Sequence, residues 1–156
     1  MFYLQMSLQS DLSKLSEIDF FLENIIQQFE IKDDFFGILN VPLNECVKNA
    51  IIHGNGCNPD KKVLIEVYVE QSKLFFSITD EGVGFDYNSF LQQSVECLKN
   101  NGLFLVEMLT ENLSFAKDGA QVSYEIEVPF SFSAGDKRVD ILQQSQVRVE
   151  NSKAKI

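Results

Sequence analysis

The chain has 156 residues, 45% of them hydrophobic, fourteen phenylalanines and a formal net charge of −10. That length suits one domain with a sizeable core and excludes a large second module. The acidic balance, with arginine only at Arg138 and Arg148, repels phosphate backbones, so nucleic-acid binding is disfavoured and a protein partner is expected.

No run of about eighteen apolar residues is present, so no membrane span is expected. The start MFYLQMSLQSD lacks a basic segment and a long apolar stretch, and does not read as a signal peptide. Cys46, Cys57 and Cys97 are odd in number and lack CxxC or zinc spacing. Reduced thiols in a cytoplasmic protein are expected.

Phe2, Leu4, Met6 and Leu8 alternate with polar neighbours, the mark of a strand with one buried face. From Asp11 the period changes. Leu12, Leu15, Ile18, Leu22, Ile25 or Ile26, and Phe29 form a helical stripe, opened by Ser10 or Asp11 as a cap. IKDDFFG reads as a connection. A second helix is expected to begin near Pro42 or to bend there, because proline disfavours helical geometry at Val41. It should end near His53, with Gly54 in the left-handed terminal position and Glu45 in an early turn.

NGCNPDKK reads as a loop. Val63, Ile65, Val67 and Val69 alternate, Gln71-Ser72-Lys73 turns the chain, and Leu74, Phe76 and Ile78 complete a hairpin that delivers Asp80 to a strand end. Residues 86–101 are polar and weakly patterned, with one short helix expected around Phe90, Leu91, Val95 and Leu98, and read as a lid. Gly102 to Asn112 is expected to be helical, with Leu103, Val106, Met108 and Leu109 facing inward. LSFAKDG and AQVSYEIEVPF should pair around Asp118-Gly119. The expected organisation is a domain over 1–130 and a polar tail over 131–156. The order of elements predicts a two-layer α/β sandwich, with helices on one face of a mixed, mostly antiparallel sheet.

The residues that carry chemistry lie on the second helix and after the first hairpin. Glu45, Asn49 and His53 are four apart and share a helical ridge. Glu45 can act as a base or orient a hydroxyl or water. Asn49 offers a neutral oxygen, which suits Mg²⁺ that keeps most of its waters. Asp80 can accept a hydrogen bond from an exocyclic amine, as adenine presents and guanine does not. Gly82 and Gly84 let the backbone turn beneath a flat ring. His53 is expected to cap or pack the helix end.

These motifs resemble those of the GHKL ATPase superfamily, and within it the small anti-sigma-factor serine kinases. Glu45 and Asn49, followed by His53-Gly54, look like its N box. Asp80, Gly82 and Gly84 look like its first glycine box, and Asn100-Asn101-Gly102-Leu103-Phe104-Leu105 like its second. The resemblance covers Tyr3 to Pro129. It implies the Bergerat-type ATP-binding fold and the cofactors ATP and Mg²⁺. Glu45 would be the catalytic residue and Asn49 the metal ligand, while Asp80, Gly82, Gly84, Lys99, Asn101, Gly102 and Leu103 would bind the nucleotide. Phosphates would sit at the start of the helix from Gly102. The chain departs from the pattern at Asn100 and Asn101, where glycine and a basic residue are usual, and at Ala120, where a threonine is usual. Positive charge would then come from Lys99, with Lys48 as a further candidate, and from Mg²⁺.

The function implied is phosphorylation of a serine on a STAS-type anti-anti-sigma protein, together with sequestration of a sigma factor, in a family that often forms homodimers. The competing reading is a non-catalytic ATP-sensing module, favoured by Asn100 and Ala120. A sensor histidine kinase is not expected, because only one strand and one helix precede the N box and His53 is the sole histidine. The larger GHKL chaperones and repair ATPases need a transducer domain that this length does not accommodate.

Overall fold

The computed structural model describes residues 2–84 and 102–129. The period-two segments form β1 (Phe2–Gln9), β2 (Lys62–Glu70), β3 (Lys73–Thr79), β4 (Glu111–Ala116) and β5 (Gln121–Glu127). They make one sheet in the order β1-β2-β3-β5-β4, and each of these pairings is antiparallel. Side chains alternate across a pleated strand. The register therefore sets Val63, Ile65, Val67 and Val69 beside Leu74, Phe76 and Ile78, and these beside Val122, Tyr124 and Ile126. All are buried. Phe76 and Tyr124 face each other in register and stack with ring centroids 5.1 Å apart.

Among the described residues, three helices cover that face. α1 (Ser16–Gln28) buries Ile18, Leu22, Ile25 and Ile26, the three-and-four spacing of an amphipathic helix. α2 (Phe36–Asn49) buries Leu39, Leu43, Cys46 and Val47, and α3 (Gly102–Leu109) packs on it through Leu103 and Val106. A helix of eight residues is not stable alone in water. Burial holds it, at about 1.5–3 kcal/mol for each large apolar side chain removed from solvent. The two-layer α/β sandwich with a mostly antiparallel sheet is the architecture the sequence predicts.

Several boundaries differ. Asp11 caps a 3-10 turn, Leu12–Lys14, by accepting the Ser13 N–H at 2.8 Å, so Leu12 is exposed and the buried stripe starts later. α2 begins at Phe36, not at Pro42, and carries Pro42 inside it. An interior proline loses one helical hydrogen bond and costs about 3 kcal/mol or more. Here its ring is buried among the apolar residues of α2, which offsets that cost. Glu45 consequently lies mid-helix. α2 runs on into a π turn, Ala50–Gly54, and the left-handed residues come later, at Gly56 (φ +64°) and Cys57 (φ +54°). His53 is exposed in that turn.

α3 stops at Leu109, because Glu111 onward joins the sheet. Met108 is 68% exposed and Leu109 37%. Only the Leu103–Val106 stripe can face α2, and Met108 lies roughly 200° around the helix from Val106. The second hairpin forms as expected, with Asp118 (φ +55°) and Gly119 (φ +93°) at its turn. The lid expected over 86–101 and the tail expected from 131 lie outside the described residues. Among those described, no helix is long and apolar enough to cross a membrane.

Candidate functional site

Four segments converge at one end of the sheet. They are the second half of α2 with its π turn, the residues after β3, the β4–β5 turn and the first residue of α3. Glu45 is held from two sides. Its Oε1 pairs with Lys48 Nζ at 2.6 Å, and its Oε2 lies so close to Gly102 that a methyl group there would overlap it. The start of α3 is thereby placed against the carboxylate. Asn49 follows one turn after Glu45, and its Nδ2 is buried without a hydrogen-bond partner among the described residues. An orphaned buried polar group costs about 1–3 kcal/mol, so this donor favours an acceptor from outside the described residues.

Asp80 follows the last paired residue of β3. Its N–H donates to the Ala120 carbonyl at 2.9 Å, which ties it to the start of β5. Its carboxylate accepts the Gly82 N–H at 2.7 Å and rests on the Cα of Gly54. Burial pushes the Asp80 carboxyl above its usual range, opposed by the Gly82 N–H and by the charge of Lys61. Gly82 abuts the Gly54 carbonyl, and Gly84, at φ +85°, abuts the Asp118 carbonyl. The acidic glycine turn is thus wedged between the π turn and the β4–β5 turn.

Asn55 escaped the sequence reading. It is buried, its Oδ1 accepts the Glu81 N–H at 2.8 Å, and its Nδ2 donates to the Lys62 carbonyl at 3.0 Å. One side chain thus pins the glycine turn to the entry of β2, and the Glu81 carboxylate returns a bond from the Lys62 N–H. An asparagine inside a polar stretch such as NGCNPDKK carries no period by which to find it. Gly54 was legible as a helix terminator and as the end of the N box, and here it is the floor on which Asp80 lies.

Of the residues predicted for the site, Glu45 and Gly102 meet directly. Asp80, Gly82 and Gly84 form a second group around Gly54 and the β4–β5 turn. Asn49 stands on the helix that carries Glu45. The Leu103 side chain is committed to the core. Lys99 and Asn101 lie outside the described residues. The donors present suit an adenine nucleotide and a hard cation. Asp80 offers an acceptor at a crowded backbone surface that any Cβ at Gly54 or Gly82 would fill, and Asn49 offers an amide oxygen of the kind Mg²⁺ takes.

A helix-backed antiparallel sheet, with an acid–glycine turn packed on a helix that carries a carboxylate and an amide, defines a nucleotide-binding domain. The chain belongs to the histidine kinase-like ATPase domain family, whose model matches residues 8–125. This agrees with the GHKL resemblance of the motifs and makes ATP the nucleotide. The chain is 38% identical over 61 residues to the anti-sigma F factor of Bacillus velezensis, a match that takes in 39% of this chain and 42% of that protein. The chain therefore spans less than half the length of that relative. The histidine kinase domain of the blue-light activated histidine kinase from Erythrobacter litoralis EL346 superposes with a TM-score of 0.48 and 20% identity, over 76% of this chain and 60% of its own.

Proposed function

We propose that this chain is an ATP-dependent protein serine/threonine kinase that works in the cytoplasm as an anti-sigma factor. It phosphorylates a serine on a STAS-type antagonist and sequesters a sigma factor, as a homodimer. The observation that carries the kinase reading is the placement of Glu45. Its carboxylate stands against the first residue of α3, one turn from Asn49, on the helix whose π turn supports Asp80. The likeness to a protein named anti-sigma F factor supports the regulatory part.

In this reading Asp80 accepts from the exocyclic amine of adenine, and Gly82 and Gly84 leave room for the ring. Gly102 and Leu103 present backbone amides toward the phosphates, with Lys99 and Asn101 assigned beside them. Asn49 would hold Mg²⁺, which when bound offsets negative charge on the phosphates. Glu45 orients the acceptor serine and takes its proton as the Oγ–phosphorus bond forms and the bond to the departing ADP breaks. Incubation with labelled ATP and a STAS-type protein tests this. Label on a serine of that protein supports the kinase, and ATP binding without transfer to any such protein contradicts it.

A non-catalytic ATP sensor has two observations in its favour. Lys48 occupies an oxygen of the carboxylate that transfer requires, and Ala120 supplies no hydroxyl beside the base site. The same labelling experiment separates the two readings.

A further inference from the structure

Lys48, named from the sequence only as a further candidate for charge near the phosphates, is the cation of α2 and has no task in the proposed function. Its Nζ lies 2.6 Å from Glu45 Oε1, while the other oxygen of that carboxylate touches Gly102. Through that carboxylate the ammonium is placed near the start of α3. Among the other described lysines, Lys14 pairs with Glu17, and Lys73 with Glu111 and Glu125. The charge of Lys61 acts on Asp80. No arginine occurs before Arg138.

A triphosphate running from Asp80 toward Gly102 would meet the negative charge of Glu45. The described cation beside that charge is Lys48. The Lys48 side chain is 39% exposed, and a lysine head on its four-carbon stem moves several ångströms without disturbing the helix. Part-exposed pairs at i,i+3 are weak. Phosphate oxygens, carrying more charge, compete well for such an ammonium.

We propose that Lys48 is shared between Glu45 and the terminal phosphate of ATP. Without nucleotide it neutralises Glu45. With ATP bound it turns to the terminal phosphate and leaves the carboxylate free for the acceptor hydroxyl. This rests on the ATP-dependent kinase reading above, and it makes Lys48 the residue that distinguishes ATP from ADP.

The test is equilibrium titration of ATP and of ADP, each with Mg²⁺, into the parent, Lys48→Met, Lys48→Arg, Glu45→Gln and the Glu45→Gln/Lys48→Met double variant. Lys48→Met should weaken ATP roughly tenfold or more, the scale of a lost charge-assisted hydrogen bond, and ADP by less than about threefold. Lys48→Arg should restore most of the loss. Glu45→Gln should tighten ATP by releasing Lys48, and the double variant should lose that gain. If Lys48→Met leaves the ratio of ATP to ADP affinity at the parent's value, the proposal is overturned while the ATP reading stands. If the parent binds neither nucleotide, both are overturned.

Discussion

Gly82 packs its Cα against the carbonyl oxygen of Gly54, so the acidic turn and the end of the helix extension meet backbone to backbone. A side chain at Gly82 has no room without moving the π turn or the turn that carries Asp80. Gly82→Ala should therefore destabilise the domain by about 1–3 kcal/mol, the scale of overpacking, and weaken ATP binding with it. Gly37, near the start of α2, has nothing within 4 Å of an added Cβ. Gly37→Ala should be neutral or slightly stabilising. Urea denaturation of both variants checks the contrast, and equal effects would contradict the close-packed turn.

Asp80 is held at a cost to the nucleotide-free protein. Burial raises its carboxyl above the usual 3.8, so folding disfavours the charged form. The sign follows from linkage. The neutral form's contribution is complete below 3.8 and is lost as pH rises through the higher folded value. The penalty is then constant at neutral pH. Asp80→Asn keeps an oxygen to accept the Gly82 N–H and removes the buried charge. Its melting temperature without nucleotide should equal or exceed the parent's at pH 7, and the difference should vanish below 3.8. ATP binding should fall in the same variant, and the parent should bind GTP much more weakly than ATP. A destabilised Asp80→Asn, or equal parent affinities for ATP and GTP, would remove Asp80 from the base site.

Asn55 provides a separate handle on the turn. Truncation to alanine leaves the Glu81 N–H and the Lys62 carbonyl without their buried partner. The expected loss is about 1–3 kcal/mol of stability, the scale of an orphaned hydrogen-bonding group, because both bonds are only part-buried and water reaches the groups left behind. ATP affinity should fall as the Asp80 turn loosens. Thermal melting and nucleotide titration of Asn55→Ala measure both. An unchanged ATP affinity in the folded variant would mean that the turn does not depend on Asn55.

The parts of this molecule that were legible in the sequence are those written in a period. Alternation in Val63–Val69 and Leu74–Ile78 located the central hairpin, and the α1 stripe located its covering helix. Glu45 and Asn49 were legible because one helix carries both. The start of α2 was not, since Pro42 argues locally for a break and only tertiary burial overrides it. Met108 was misplaced because six apolar residues in eight do not say which pair faces α2. The Glu45–Lys48 pair and the Asn55 clamp were hidden for another reason: each depends on side-chain positions that spacing allows but does not require.

Glu45 and Asn49 share a face of α2, yet the account gives them different work, so their loss should differ. Asn49→Ala should weaken Mg²⁺-dependent ATP binding. Glu45→Ala should bind ATP at least as well as the parent, because it removes negative charge near the phosphates and releases Lys48. The decisive measurement is the rate of phosphoryl transfer from labelled ATP to a serine of a STAS-type protein by Glu45→Ala, with ATP affinity measured in parallel. The account predicts transfer slowed by roughly 10²-fold or more, the usual scale for a positioned base, with no loss of affinity. Transfer by Glu45→Ala at the parent's rate would contradict it.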